Sequence, residues 1–292
     1  EDWAFVSYIG RLGYNYNEKY FIQGSVRRDG TSRFIGENRW GVFPSVSAGW
    51  RISKEGFFEP LLGVVNDLKI RGSFGTLGNS NVGLYPTYAT LEMHTAVMGP
   101  RNAQYASPSY ALGAAVNPNV KWEQTQKNDI GFDASFLKSK LTLTFDYYIS
   151  HTTNLLYGKP IPLAAGKYYY DGWVNPSDPT INGGEIKNHG YELTLGYNTS
   201  KGSFSWSVNG YMSIDRNEVV DLEGRNLREQ GLEVGQPIYG FFGYTSNGVV
   251  KNQAILDANP YLTNPDNDFS IGLGDIWTVD INKDGKITAD DR

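Results

Sequence analysis

Apolar and polar residues alternate along most of the chain with a period of two. In residues 141–150, Leu141, Leu143, Phe145, Tyr147 and Ile149 share one parity, and Thr142, Thr144, Asp146, Tyr148 and Ser150 share the other. Successive side chains of a strand point to opposite faces, so this stretch predicts a strand with one apolar and one polar side. Ile130, Phe132, Ala134 and Phe136 repeat the pattern, as do Phe204, Trp206, Val208, Gly210, Met212 and Ile214, and Val42, Val46, Ala48, Trp50 and Ile52. Similar alternation covers residues 3–16, 19–29, 68–76 and 187–199. About eight strands are therefore expected before residue 220, several of them longer than the ~5–6 residues usual in soluble sheets. Residues 53–66 are the one place where a short helix is expected, with Ser53 as its N-cap.

The connections alternate in length. Short turns are expected at residues 15–19, 137–140 and 199–202; long connections at 30–41, 77–119, 151–184 and beyond 220. Soluble domains hold few structureless loops beyond ~12–15 residues. Outer-membrane barrels combine short periplasmic turns with long extracellular loops, and their strands need ~9–11 residues to cross. The expected fold is all-β: an antiparallel transmembrane β-barrel segment of about eight or more strands.

Composition narrows the function. Lys plus Arg is 26 and Asp plus Glu is 31, a formal charge of −5. That argues against nucleic acid as a partner, which calls for a basic stripe. The absence of cysteine excludes disulfides and thiolate metal sites. No apolar run approaches the ~18 residues of a membrane helix, and Glu1-Asp2-Trp3-Ala4 has no signal-peptide character.

Eight short segments, in order, resemble the barrel of SusC/RagA-type TonB-dependent outer-membrane transporters, nutrient importers of Bacteroidota. They are Gly10-Arg11-Leu12-Gly13-Tyr14-Asn15-Tyr16, residues 26–34 (Val26 to Phe34), residues 39–51 (Arg39 to Arg51), residues 68–79 (Leu68 to Asn79), Asn119-Val120-Lys121-Trp122-Glu123, residues 183–190 (Gly183 to Gly190), Gly274-Asp275, and residues 280–292. The resemblance implies that residues 1–292 are a partial TonB-dependent receptor barrel domain, with the plug, the first strands and the last strands outside it, and that the chain ends in an extracellular loop. It implies active import of glycans, oligosaccharides or peptides. The implied partners are a SusD-like surface lipoprotein, TonB acting through the plug, and outer-membrane lipid. No catalytic step is implied.

Residues 280–291 match the twelve-residue calcium loop. Asp280, Asn282 and Asp284 stand at positions one, three and five, Gly285 at the sharp turn, the Lys286 carbonyl at seven, Thr288 at nine and Asp291 at twelve. A structural calcium is the expected cofactor. Aromatics crowd the long loops: Tyr168, Tyr169, Tyr170 and Trp173 in one, and Tyr85, Tyr88, Tyr105 and Tyr110 in another. These are candidates for substrate or partner contact. His94, His151 and His189 are scattered singly and read as ordinary loop or strand-end residues. Arg27, Arg28, Arg33, Arg39 and Arg51 are expected to pair with carboxylates in a solvated barrel interior. Strand glycines such as Gly49, Gly72, Gly75 and Gly131 suit curvature and close packing. The rival expectation is a secreted, calcium-stabilised carbohydrate-binding β-sandwich, whose apolar strand faces would bury one another.

Overall fold

The computed structural model describes residues 2–84, 86–113, 115–159, 161–162, 164, 168–170, 173–175, 178–225, 227–228, 231–241 and 243–292. They fall into two units, residues 1–225 and 226–292.

The first unit is built on one antiparallel sheet. In chain order its strands are β1 (Phe5–Tyr16), β2 (Tyr20–Thr31), β3 (Trp40–Arg51) and β4 (Val65–Asn79). A ribbon, β5 (Leu91–Met98) with β6 (Tyr105–Leu112), follows in the next connection. The sheet continues with β7 (Glu123–Phe136) and β8 (Leu141–Thr153). Four three-residue strands come next: β9 (Leu156–Gly158), β10 (Tyr168–Tyr170), β11 (Trp173–Asn175) and β12 (Thr180–Asn182), pairing as β10 with β11 and β9 with β12. Then come β13 (Glu185–Lys201) and β14 (Phe204–Asp221). The sheet order is β1-β2-β3-β4-β7-β8-β13-β14, with β1 and β14 at its edges.

The register sorts the side chains. Tyr16, Tyr20, Trp50 and Ile70 lie in one row across β1 to β4, and Ile70 continues through Phe132, Phe145, Leu193 and Met212. The apolar parities of all eight strands thus share one face. That face is open: Leu12 is 80% exposed and Val208 60%. A sandwich would bury it, so the sandwich expectation fails. Trp40 and Trp50 mark the two ends of β3 on this face. Ten residues at ~3.3 Å, tilted by ~40°, separate them by about 25 Å along the barrel axis, the height of a lipid-facing band between aromatic girdles.

Short turns close one end of the sheet. Residues 17–19 join β1 to β2, and Asn17 and Glu18 are left-handed there. In the turn at 137–140, Leu137, Lys138 and Ser139 are all left-handed, and the Asn66 side chain accepts from the Ser139 amide at 2.9 Å. The 52–64 connection lies at the same end. The helix expected at 53–66 is absent: two 3-10 turns, Ile52–Lys54 and Gly56–Leu61, take its place. Ser53 is no cap; its hydroxyl donates to the Asp67 carboxylate. Pro60 inside the run and two glycines weaken an α-helix here.

At the opposite end a small core joins the roots of the long connections. Phe34, Phe43, Val82, Val120 and Trp122 are buried together, with Leu156 against them. Trp122 meets Phe34 and Phe43 edge-on at 5.8 and 5.4 Å. The Asn182 side chain stands in for a strand, accepting from the Lys121 amide and donating to the Lys121 carbonyl, both at 2.8 Å.

The second unit has its own core of Val250, Leu256, Leu262, Ile271 and Ile287, with Tyr244, Ile255, Tyr261 and Trp277 packed on it. A ribbon of β15 (Ser246–Val249) and β16 (Ile276–Thr278) and the helix α1 (Gln253–Ala258), capped by Asn252, carry that core.

Candidate functional site

The polar face of the sheet carries an ionic row that spans three strands. Arg71 of β4 pairs through the register with Gly131 of β7, and Gly131 with Asp146 of β8. Gly131 offers no side chain, so the Arg71 guanidinium passes over it and grips Asp146 at 2.5 and 2.7 Å. A Cβ on Gly131 would strike the Asp146 carboxylate and the Phe145 carbonyl. Arg71 also reaches Asp133 at 3.2 Å and Asp129 at 3.6 Å, and Asp133 accepts from the Thr144 hydroxyl at 3.1 Å.

The same device recurs twice. Tyr148 of β8 crosses Gly190 of β13 to donate to Asp215 of β14 at 2.7 Å. Lys69 of β4 packs over Gly49 of β3 and brings its ammonium 4.6 Å from the centre of the Phe21 ring on β2. A long polar side chain thus lies along the wall and meets its partner on the strand beyond the glycine. Curvature and close packing were the expectation for Gly49 and Gly131; the structure shows what is packed close, a long side chain from the next strand.

Two hollows lie along this face. One of about 480 Å³ is lined by Gln23, Ser47, Lys69, Arg71, Ser73 and Asp129 among others. One of about 660 Å³, nearer the long connections, has Trp3, Phe5, Arg27, Arg33, Trp122 and Lys127 in its walls.

The arginines singled out by sequence divide. Arg27 binds buried Asp29 at 2.7 Å, and Arg51 reaches Asp67 at 3.5 Å and Glu18 at 3.7 Å. Arg28 and Arg33 lie instead on the indoles of Trp40 and Trp3, and Arg39 donates to the Phe34 carbonyl at 3.4 Å. The expectation of carboxylate partners holds for two of the five. An indole face attracts a guanidinium through its ring electrons. Sequence reasoning missed Arg71, which meets three carboxylates. Its signal was the placement of Arg71, Asp129, Asp133 and Asp146 all on polar parities, which converges only once the register is known. Of the histidines, His151 meets Glu185 at 3.0 Å at the strand ends.

At the short-turn end, Glu55 collects three donors: the Tyr20 hydroxyl at 2.7 Å, the Trp50 indole at 3.2 Å and the Lys19 ammonium at 3.1 Å. The Tyr20 hydrogen bond first, then those of Trp50 and Lys19, hold its carboxyl below the usual carboxylate range.

Tyr168, Tyr169, Tyr170 and Trp173 belong by backbone to the β10–β11 ribbon; their side chains lie outside the described part of the structure, as do Tyr85 and Lys167. Tyr105 and Tyr110 project from the β5–β6 ribbon, and Tyr88 stands just before it; all three are exposed. The 77–119 connection, expected to be loop, therefore holds a hairpin.

In the second unit the calcium-loop side chains accept from the loop's own amides. Asp280 accepts from the amides of Asp284 and Gly285 at 3.2 and 2.9 Å, Asn282 from that of Asp284 at 2.9 Å, and Asp284 from that of Lys286 at 3.1 Å. Gly285 takes the left-handed turn, at φ +85°. Asp291 is fully buried. Its two oxygens accept from the amides of Ile281 and Thr288, both at 2.9 Å, closing a capping box with Thr288. Among the described residues, no group of three His, Cys, Asp or Glu is gathered to hold a metal. An Asn oxygen and a backbone carbonyl would have to complete any set here.

The "TonB dependent receptor-like, beta-barrel" family model matches residues 3–290. TonB-dependent receptor P39 of Formosa agariphila is 34% identical over 253 residues, 85% of this chain and 23% of that protein. TonB-dependent receptor SusC of Bacteroides thetaiotaomicron is 31% identical over 269 residues, 87% of this chain and 25% of its own length. The structure of the RagAB peptide transporter superposes with a TM-score of 0.71 at 25% identity, over 85% of this chain and 26% of that one. The chain thus spans about a quarter of the length of the relatives it matches. The open apolar face, its girdle spacing and these matches agree: the chain belongs to the TonB-dependent receptor family and forms part of the wall of its outer-membrane β-barrel.

Proposed function

We propose that the protein containing this wall is an active importer of oligosaccharides or peptides, driven by TonB through a plug domain and lidded by a SusD-like surface lipoprotein. The observation that carries this reading is the two-sided sheet: one face open to lipid, the other lined with paired ions, with short turns at one end and ribbon-bearing connections at the other. A polar-lined wall in an outer membrane suits a lumen that is water-filled or plugged. The likeness to the RagAB peptide transporter supports peptides as a solute class, and the likeness to TonB-dependent receptor SusC supports the TonB drive. The residues do their work by shaping and lining a path, and no catalytic step is assigned to them. Uptake of labelled oligosaccharides and oligopeptides by cells with and without the protein, and with and without TonB, tests the reading. Uptake of one class should vanish in both deletions. Unchanged uptake of both classes would refute it.

A structural calcium in the second unit belongs to the same proposal. Asp280, Asn282, Asp284 and the Lys286 carbonyl supply hard oxygens of the kind calcium takes. Each carboxylate oxygen that accepts one amide keeps a lone pair for a cation. Asp291 would hold the loop shut. The ion's part would be to order the turn.

A further inference from the structure

The connection between β3 and β4 exposes more apolar surface than a turn in water needs. Within eight residues, Phe57 and Val64 are each 67% exposed, Leu61 is 53% exposed, and Leu62 is exposed as well. Phe58 points the other way and is buried. Contiguous exposed apolar side chains mark a surface that something covers.

The side on which Phe57 lies is fixed by three contacts. Tyr20 and Trp50 belong to the apolar, lipid-facing row of the sheet. Both donate to Glu55, so the chain leaving β3 turns toward that face. Phe57 then packs edge-on against Trp50, with ring centres 6.4 Å apart. Tyr16 stacks on Tyr20 at 6.4 Å in the same girdle. At its far end the segment is pinned by Asn66, which donates to the Leu62 carbonyl at 3.1 Å. Phe57 therefore continues a surface that already meets lipid, and Leu61 and Val64 follow it in the same short segment. Lys54 and Glu59, also exposed, supply the polar side of an amphipathic segment.

We propose that residues 56–64 are an interfacial membrane anchor: Phe57, Leu61 and Val64 enter the boundary between headgroups and acyl chains of the periplasmic leaflet, extending the barrel's lipid contact beyond the end of β3. The inference rests on the lipid-facing assignment of the sheet and goes beyond it, because the segment crosses nothing and lies outside every strand. Phospholipid is the committed occupant. The 3-10 turns suit the role. They satisfy backbone groups locally, with Leu62 and Val64 amides donating to the carbonyls of Glu59 and Leu61 at 3.2 and 3.0 Å, as the edge of a bilayer demands.

The test uses spin labels on single cysteines in the full-length protein, with any other cysteine replaced, reconstituted in phospholipid vesicles. Labels go at Phe57→Cys and Val64→Cys, with Val46→Cys as the mid-strand lipid reference and Lys54→Cys as the aqueous one. The ratio of collisions with oxygen to collisions with a water-soluble nickel chelate is expected to be several-fold higher at positions 57 and 64 than at 54, and below that at 46. A ratio equal to that at 54 overturns the anchor and leaves the barrel wall intact, provided the label at 46 still reports lipid. Low collision with both reagents also overturns it, by showing a protein partner on the segment. An aqueous reading at 46 overturns the lipid-facing assignment itself, and the anchor with it. Phe57 and Val64 are exposed, so neither substitution disturbs a core; each site serves where the other variant fails to assemble.

Discussion

Arg71 holds Asp146 with two guanidinium nitrogens although their strands are not neighbours; the strand between them contributes only Gly131 at that level. Removing either partner is not equivalent. Asp146→Asn leaves Arg71 with Asp133 and Asp129. Arg71→Met leaves three carboxylates facing one another. We expect Arg71→Met to destabilise the folded barrel by about 1–2 kcal/mol, a charge-assisted hydrogen bond discounted for a solvated lumen, and Asp146→Asn by less. Gly131→Ala should displace the guanidinium, and in an Asp146→Ala background its cost should shrink to the clash with the Phe145 carbonyl, since coupled sites are non-additive. Denaturant titration of the full-length barrel, comparing single and double variants, checks this; additive losses would show that the glycine does not serve the ion pair.

The apolar row predicts a face-dependent cost. Leu143→Arg or Val208→Arg places a cation against lipid, at ~2–4 kcal/mol near the midplane, and should block assembly measured as heat-modifiable folded barrel. Ser207→Arg, on the other parity of β14, should be tolerated. Equal tolerance at both faces would reverse the assignment of lipid and lumen.

Glu55 gives a pH dependence with a definite sign. Its folded carboxyl titrates below the ordinary carboxylate value, so ionisation favours the folded clasp. That contribution is complete above the ordinary carboxylate range and is lost as pH falls through the depressed value. Wild type should resist heat better than Glu55→Gln at neutral pH, and the two should converge in acid. A gap that widens in acid would contradict the clasp.

The loop at 280–291 is expected to bind one calcium. Calorimetric titration of the full-length protein should show a site in wild type that Asp284→Ala weakens or removes. Asp291→Ala should do more, loosening the loop even without metal, because a fully buried carboxylate that accepts from at least two amides is lost. Identical ion counts and affinities in wild type and Asp284→Ala would leave only an acidic turn.

The strands were legible because period two is printed in single residues: Leu141 to Ile149 reads as a face without any partner. Their true lengths were not. β7 begins at Glu123 rather than Ile130, since Gln124, Gln126 and Asn128 have strand partners but no apolar signal. The β5–β6 hairpin hid inside an expected loop for a similar reason; Thr95 opposite Pro108 breaks the stripe halfway. The calcium-loop spacing was legible as a motif, and the amide clasp of Asp291 was not, because capping depends on where the backbone turns. Arg71 was invisible for a deeper reason. Its partner lies 75 residues away and two strands over, and nothing local announces a register.

The glycine crossings have a mechanical consequence. A side chain that lies flush against the wall takes up little clearance, so the bore keeps its width while carrying ionised groups. Arg71 and Tyr148 already spend their polar ends on Asp146 and Asp215, and the Lys69 ammonium rests against the Phe21 ring, so a solute at this stretch would meet groups that already have partners.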